Sequence, residues 1–107
     1  MSEAVKKQLD LGVTLTLPGL LEYEVASLIR DLVPSAERIR FAKTGSDATA
    51  GAIRLARAFT GRDHVLLGGY HGWQDWYIGS TSMNLGVPKS VSILSHSFPL
   101  NDLDSLE

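Results

Sequence analysis

Residues 38–67 decide the fold: Arg38-Ile39-Arg40-Phe41-Ala42, then Lys43-Thr44-Gly45-Ser46-Asp47, then Ala48-Thr49-Ala50-Gly51-Ala52-Ile53-Arg54-Leu55-Ala56-Arg57-Ala58-Phe59, then Thr60-Gly61-Arg62-Asp63 and His64-Val65-Leu66-Leu67. The first five residues are a short strand candidate, and Thr44-Gly45-Ser46-Asp47 is a turn that opens a helix. Within that helix Ala48, Ala52, Leu55 or Ala56, and Phe59 share one side, with Arg54 and Arg57 on the flank. Small residues dominate this side, so the helix suits close packing on a sheet. Thr60-Gly61-Arg62-Asp63 supplies a C-cap and turn, and His64–Leu67 reads as a short buried strand ending at Gly68-Gly69. Strand, glycine turn, helix, turn and strand is α/β grammar.

Working outward toward the N-terminus, Leu21, Val25, Leu28 and Leu32 recur at steps of four, three and four, and Ile29 and Val33 widen the stripe. Glu22, Glu24, Arg30 and Asp31 fall outside it, so the spacing predicts an amphipathic helix of about three turns that stops at Pro34. Residues 11–17 alternate apolar and polar, as a half-buried strand or extended arm does, until Pro18-Gly19 ends the run. On the other side, residues 70–90 are rich in Gly, Ser, Trp and Tyr and read as a long irregular connection. Val91-Ser92-Ile93-Leu94 is a further strand candidate, after which Phe98 to Glu107 turns polar. The order predicts an α/β fold with a largely parallel sheet. Its final strand lacks the covering helix that such a sheet requires. The expectation is therefore an N-terminal arm or strand over 1–18 and an incomplete large domain over 19–107.

Composition bounds the function. At 107 residues and 11.6 kDa, a folded monomer exposes about 5,800 Å² of the roughly 16,800 Å² of the extended chain, enough for one core but not two domains. Ten Lys and Arg against twelve Asp and Glu give a net charge of −2, without the basic excess of a nucleic-acid binder. Cysteine is absent, which removes disulfides, thiolate metal sites and a cysteine nucleophile from consideration. Asp10, Gly12 and Pro18 interrupt the stretch after Lys6 and Lys7, so neither a signal peptide nor a membrane span is predicted. The reading is of a soluble, cytoplasmic chain, a single unit with no nucleic acid and no membrane as partner.

Two features carry chemistry. A helix N-terminus presents N–H groups without intrahelical partners and the positive end of the dipole. Gly45 lets the backbone approach an anion there, and the hydroxyls of Thr44 and Ser46 add donors. The alternative is that Ser46 or Asp47 merely caps the helix. Neither the P-loop ending nor a GxGxxG dinucleotide fingerprint is present. The second feature is Gly68-Gly69-Tyr70-His71-Gly72-Trp73 at the tip of the His64–Leu67 strand, the edge where ligands of open α/β sheets gather. There Tyr70 and His71 either lay a ring against a planar ligand or, with Trp73, anchor the loop. Trp73, Trp76 and Tyr77 read equally as a substrate mouth, a subunit interface or ordinary packing. His64, His71 and His96 are too widely spaced for a local metal motif, and no HExxH or GxSxG occurs.

Together, Phe41 to Asp63 followed by Tyr70-His71-Gly72 resemble the class III aminotransferases, which use pyridoxal 5′-phosphate. Within that class the likeness is nearest to the glutamate-1-semialdehyde 2,1-aminomutase branch and its sugar- or polyol-modifying relatives. It runs from about Leu15 to the C-terminus. The resemblance implies a partial large domain of the fold type I pyridoxal-phosphate transferase fold. It implies that Gly45 and Ser46, with Thr44 beside them, hold the cofactor phosphate, and that Tyr70 stacks on the pyridine ring with His71 next to it. It further implies amino-group transfer on an amino-acid or amino-sugar/keto substrate, within a homodimer. The family's cofactor-binding Lys and its pyridinium-pairing Asp find no counterpart in Lys6, Lys7, Lys43, Lys89, Asp102 or Asp104. The expectation is therefore a fragment, inactive alone, with no catalytic residue of its own. The alternatives are a stand-alone phosphate-binding module and a structural remnant without catalysis. The family reading requires the turn at Gly45-Ser46 and the Tyr70 ring to meet in one place.

Overall fold

Two helices make up most of the first 41 residues. Helix α1 (Ser2–Leu11) carries Val5 and Leu9 one turn apart, the spacing of an amphipathic stripe. It ends at Gly12, whose φ of 95° is open to glycine, with the Gly12 N–H donated to Leu9 O at 3.1 Å. Gln8 Nε2 also donates to Gly12 O at 2.8 Å. Helix α2 (Leu20–Leu32) begins where the Glu22 carboxylate accepts the Gly19 N–H at 2.8 Å, the side-chain half of a capping box. Its end is set by Pro34, which drives Val33 into extended backbone at φ −122°, ψ 97°.

This computed structural model describes residues 1–13 and 16–106, and the chain divides into two compact units, Met1–Phe41 and Ala42–Glu107. The predicted helix over the Leu21–Leu32 stripe is α2. Residues 2–11, read as part of an arm or strand, are helical. The alternation over residues 11–17 has its centre, residues 14 and 15, outside the described residues. The strand expected at Arg38–Ala42 is not formed; those residues are irregular. A strand is stable only with a neighbour to take its backbone hydrogen bonds, and none is paired with this segment among the described residues.

In the second unit, helix α3 (Gly45–Thr60) spans the segment that the alanine, leucine and arginine pattern predicts. Gly61 closes it in the left-handed region at φ 66°, with its N–H on Arg57 O at 2.9 Å. Arg57 Nε reaches on to Asp63 O at 2.8 Å and so ties the turn that follows. Strand β1 (Val65–Leu67) pairs in parallel with β2 (Ser95–Ser97) in the register Val65↔Ser95, Leu66↔His96, Leu67↔Ser97. The parallel pairing expected from the element order is present.

Between the strands lie two single-turn helices, α4 (Asp75–Ile78) and α5 (Lys89–Ser92), in a stretch read as irregular. The strand expected at Val91–Leu94 is corrected by three to four residues. Pro88 caps a helical turn over Lys89–Ser92, and the residues that reach β1 are Ser95-His96-Ser97. Gly79 fixes how α4 and α5 meet: a Cβ there would lie 2.9 Å from Ser92 Cα and 2.9 Å from Asp75 O, a space only glycine fits. The centre of this unit is Leu67, 4% exposed, beside Ser95 at 5%. Burying the Ser95 hydroxyl is offset by its hydrogen bond to Trp76 O, which ties β2 to α4.

Candidate functional site

The turn before α3 is built around Thr44. Its side-chain oxygen accepts the Asp47 N–H at 3.2 Å, and its hydroxyl donates to Asp47 Oδ2 at 2.8 Å. Thr44 is therefore the N-cap, not Ser46 or Asp47 as the simple capping alternative had it. The Ala48 N–H is taken by Thr44 O at 3.1 Å. The two N–H groups ahead of Asp47, those of Gly45 and Ser46, are the first of the helix and have no intrahelical acceptor within reach. The space beside Gly45 is open, with nothing within 4 Å of the position a Cβ would take.

The tip of β1 turns back onto this place. Gly72 is buried at φ 113°, and a Cβ on it would run into the Ser46 hydroxyl and lie 3.1 Å from Ser46 Cβ and 3.3 Å from Ser46 Cα. The Thr49 hydroxyl, one turn into α3, donates between His71 O at 3.0 Å and Ser46 O at 3.1 Å. Thus Ser46 and the Tyr70-His71-Gly72 segment, 24 to 26 positions apart, are in contact. Thr49 and Gly72 make that contact and were not among the residues singled out as a site from the sequence. A threonine one turn into the helix and a third glycine after Gly68-Gly69 were the available signals.

The aromatic residues sit on the same wall. The Tyr70 ring is 76% exposed, with its centre 5.5 Å from that of Tyr77 at an interplanar angle of 83°. His71 is half-buried, with Nε2 3.2 Å from Gly68 O, and also meets Tyr77 edge to face at 5.7 Å and 85°. Trp76 lies 6.4 Å from His71 and 6.1 Å from Tyr77. The Trp76 indole N–H is buried without a hydrogen-bond partner among the described residues. Trp76 and Tyr77 thus pack behind the loop that carries Tyr70, while Trp73 is exposed. All five predicted residues, Thr44, Gly45, Ser46, Tyr70 and His71, lie on the two segments that meet here.

Elsewhere, His64 Nδ1 and His96 Nε2 are 2.9 Å apart, with ring centres at 5.2 Å and planes 16° apart. A ring nitrogen lies a little over an ångström from its ring centre. The centre separation therefore equals the N···N distance plus one ring radius on each side, which places the rings edge to edge, not stacked. A hydrogen bond at that distance needs one nitrogen to donate and the other to accept, the roles being set by the tautomers. Among the described residues no group of three His, Cys, Asp or Glu gathers as a metal site. Two hollows open within the first unit. One lies along Thr16–Pro18, Tyr23 and Phe41, the other between α1 and α2; none of the five residues lines either.

What the meeting of these segments can do chemically is offer two backbone N–H groups to an anion beside a loop that carries an exposed aromatic side chain. The chain is 44% identical over 96 residues, 85% of its length, to a glutamate-1-semialdehyde 2,1-aminomutase of Salinibacter ruber. It superposes on an omega-transaminase from Sphaerobacter thermophilus with a TM-score of 0.80 at 31% identity over 98% of this chain. On a transaminase with PLP bound the TM-score is 0.81 at 27% identity over 97%. No family model matches the chain.

This stretch of sequence is similar to part of the class III pyridoxal-phosphate-dependent aminotransferases and has part of the fold type I α/β fold of such transaminases. It is a homologue of one segment of these proteins. The chain spans 22% of the length of the Salinibacter aminomutase and 28% and 27% of the two transaminases.

Proposed function

We propose that this chain is the phosphate- and ring-holding segment of a pyridoxal 5′-phosphate-dependent aminotransferase or aminomutase. The observation that carries the reading is the contact between Ser46 and Gly72, which brings the open start of α3 and the loop that carries Tyr70 together. The donor set fits the cofactor. The N–H groups of Gly45 and Ser46 and the Ser46 hydroxyl suit a phosphate at the positive end of the α3 dipole. The exposed Tyr70 ring suits the flat face of a pyridine. When bound, pyridoxal phosphate supplies the electron sink for carbanion chemistry at a substrate amine carbon.

The residues of this chain bind and orient. Thr44 fixes the first turn of α3, Ser46 and Gly45 hold the phosphate, and Tyr70 with His71 limits how the ring tilts. None of Lys6, Lys7, Lys43 and Lys89 stands on the Tyr70 loop, and Lys43 precedes the Thr44 cap. On this reading the proton shuttle at the substrate carbon is a lysine outside this segment, and the segment by itself binds without turning over. The substrate is an amino acid or an amino-sugar/keto compound, with glutamate 1-semialdehyde the model for the mutase branch. The working protein is a cytoplasmic homodimer. Support for a dimer is the exposed apolar stripe of Leu21, Leu28 and Leu32 on α2. No described helix is long and apolar enough to cross a membrane.

Amide and aromatic NMR shifts during titration test the assignment. Pyridoxal phosphate should move the Gly45 and Ser46 amides together with the Tyr70 ring, and inorganic phosphate only the amides. Pyridoxal without its phosphate should move neither. Borohydride should trap no lysine adduct. A Tyr70 ring indifferent to pyridoxal phosphate refutes the reading, and phosphate-only shifts identify a plain phosphate-binding module.

A further inference from the structure

Tyr77 is the common neighbour of both rings on the Tyr70-His71 loop. It meets Tyr70 at 5.5 Å and 83° and His71 at 5.7 Å and 85°, both in the edge-to-face arrangement that aromatic quadrupoles favour. Trp76 closes the cluster on its third side at 6.1 Å. Tyr70 itself is mostly exposed and follows Gly69 at φ 91°, so little else restrains its ring.

The support beneath Tyr77 is firm. Its N–H donates to Gln74 O at 2.9 Å, and its own carbonyl accepts the Ser80 hydroxyl at 2.7 Å. The preceding residue is anchored through Trp76 O to the buried Ser95 hydroxyl at the start of β2, and Gly79 packs directly on Ser92 of α5. An element pinned on both sides thus presents one half-buried ring to two rings of a glycine-flanked loop.

We propose that Tyr77 is a positioning residue: through paired edge-to-face contacts it holds Tyr70 and His71 in the pose that receives the cofactor ring. This rests on the cofactor reading above and adds a residue that acts through another. Each such contact is worth about 0.5–1.5 kcal/mol, a factor of roughly 2 to 10 in the population of the held pose. Apparent affinity scales with the competent fraction. Removing the Tyr77 ring loses both contacts and therefore weakens pyridoxal phosphate binding by roughly 2 to 10-fold for each of the two that holds the pose.

The test compares Tyr77→Phe, Tyr77→Leu and Ser46→Asp in the 107-residue chain, with pyridoxal phosphate as the probe. Two readouts are taken: cofactor affinity, and, without ligand, ring-proton contacts between positions 70 and 77 with near-ultraviolet circular dichroism. Tyr77→Phe keeps the ring and should match the parent in both. Tyr77→Leu should lose the aromatic dichroism, disperse the Tyr70 ring signals and weaken binding, with far-ultraviolet dichroism unchanged. Ser46→Asp places a negative charge at the phosphate position and should abolish binding. If Ser46→Asp abolishes binding but Tyr77→Leu binds like the parent, the positioning role is overturned and the cofactor reading stands. If the parent and Ser46→Asp bind alike or not at all, the cofactor reading fails. The ligand-free spectra still decide whether Tyr77 holds Tyr70: ring-proton contacts absent in the parent overturn it. Should Tyr77→Leu unfold, those parent contacts and the Tyr77→Phe match carry the decision.

Discussion

Substituting Gly72 with alanine attacks the contact on which the site depends. Gly72 has φ 113°, outside the region that L-residues adopt, and holding alanine there costs about 1–3 kcal/mol. The new methyl would also meet the Ser46 side chain and lie 3.3 Å from Ser46 Cα. Relieving such overpacking costs roughly another 1–3 kcal/mol. The expected loss is thus about 2–6 kcal/mol, a large share of the stability of a small domain. Urea unfolding followed by far-ultraviolet dichroism measures it, and a double-mutant cycle separates the two parts. Ser46→Gly removes the atoms the methyl strikes, so the pair Ser46→Gly with Gly72→Ala should recover the steric part, about 1–3 kcal/mol, while the backbone part remains. If Gly72→Ala costs under about 0.5 kcal/mol, or if the two changes are additive, Ser46 and Gly72 are not in contact and the site dissolves.

Three further outcomes follow from single hydrogen bonds. Thr44→Ala removes the side-chain acceptor of the Asp47 N–H and should cost about 1 kcal/mol with lost helicity, whereas Thr44→Ser should restore it; equal melts for the two disprove the cap. Ser95→Ala leaves the Trp76 carbonyl unpaired at the buried start of β2 and should cost about 1–3 kcal/mol in a urea melt, with the tryptophan fluorescence reporting the change; an unaltered midpoint removes Ser95 as the tie between β2 and α4. Nitrogen NMR of the His64–His96 pair should find one of the facing nitrogens protonated and the other bare, and two bare facing nitrogens would break the edge-to-edge geometry.

How much of this was legible depended on whether the cause was local. The Leu21-Val25-Leu28-Leu32 stripe and Pro34 delimit α2 because amphipathic period and proline stereochemistry act within a few residues. The same holds for α3, between Thr44 and Gly61. Helix α1 was missed although Val5 and Leu9, with Gly12 after them, are an i,i+4 pair and a C-cap. The apolar run Val91–Leu94 read as a strand, but pairing with Val65–Leu67 selects Ser95-His96-Ser97, three residues with little intrinsic strand character. Strand identity there is conferred by the partner, not by the segment. Arg38–Ala42 is the converse, a plausible strand with no partner among the described residues. At the site, the helix start and the glycine-flanked Tyr70 were readable as separate features. Their meeting through Thr49 and Gly72, and the orientation of Tyr77 toward two rings, join residues that only folding brings together.

The Thr49 hydroxyl has a single hydrogen to divide between the carbonyls of Ser46 and His71. Fraying of the opening turn of α3 would hand that hydrogen to one carbonyl and release the other. The two segments would then loosen as one event, so slow exchange at the amides around Ser46 should rise and fall in step with that around His71.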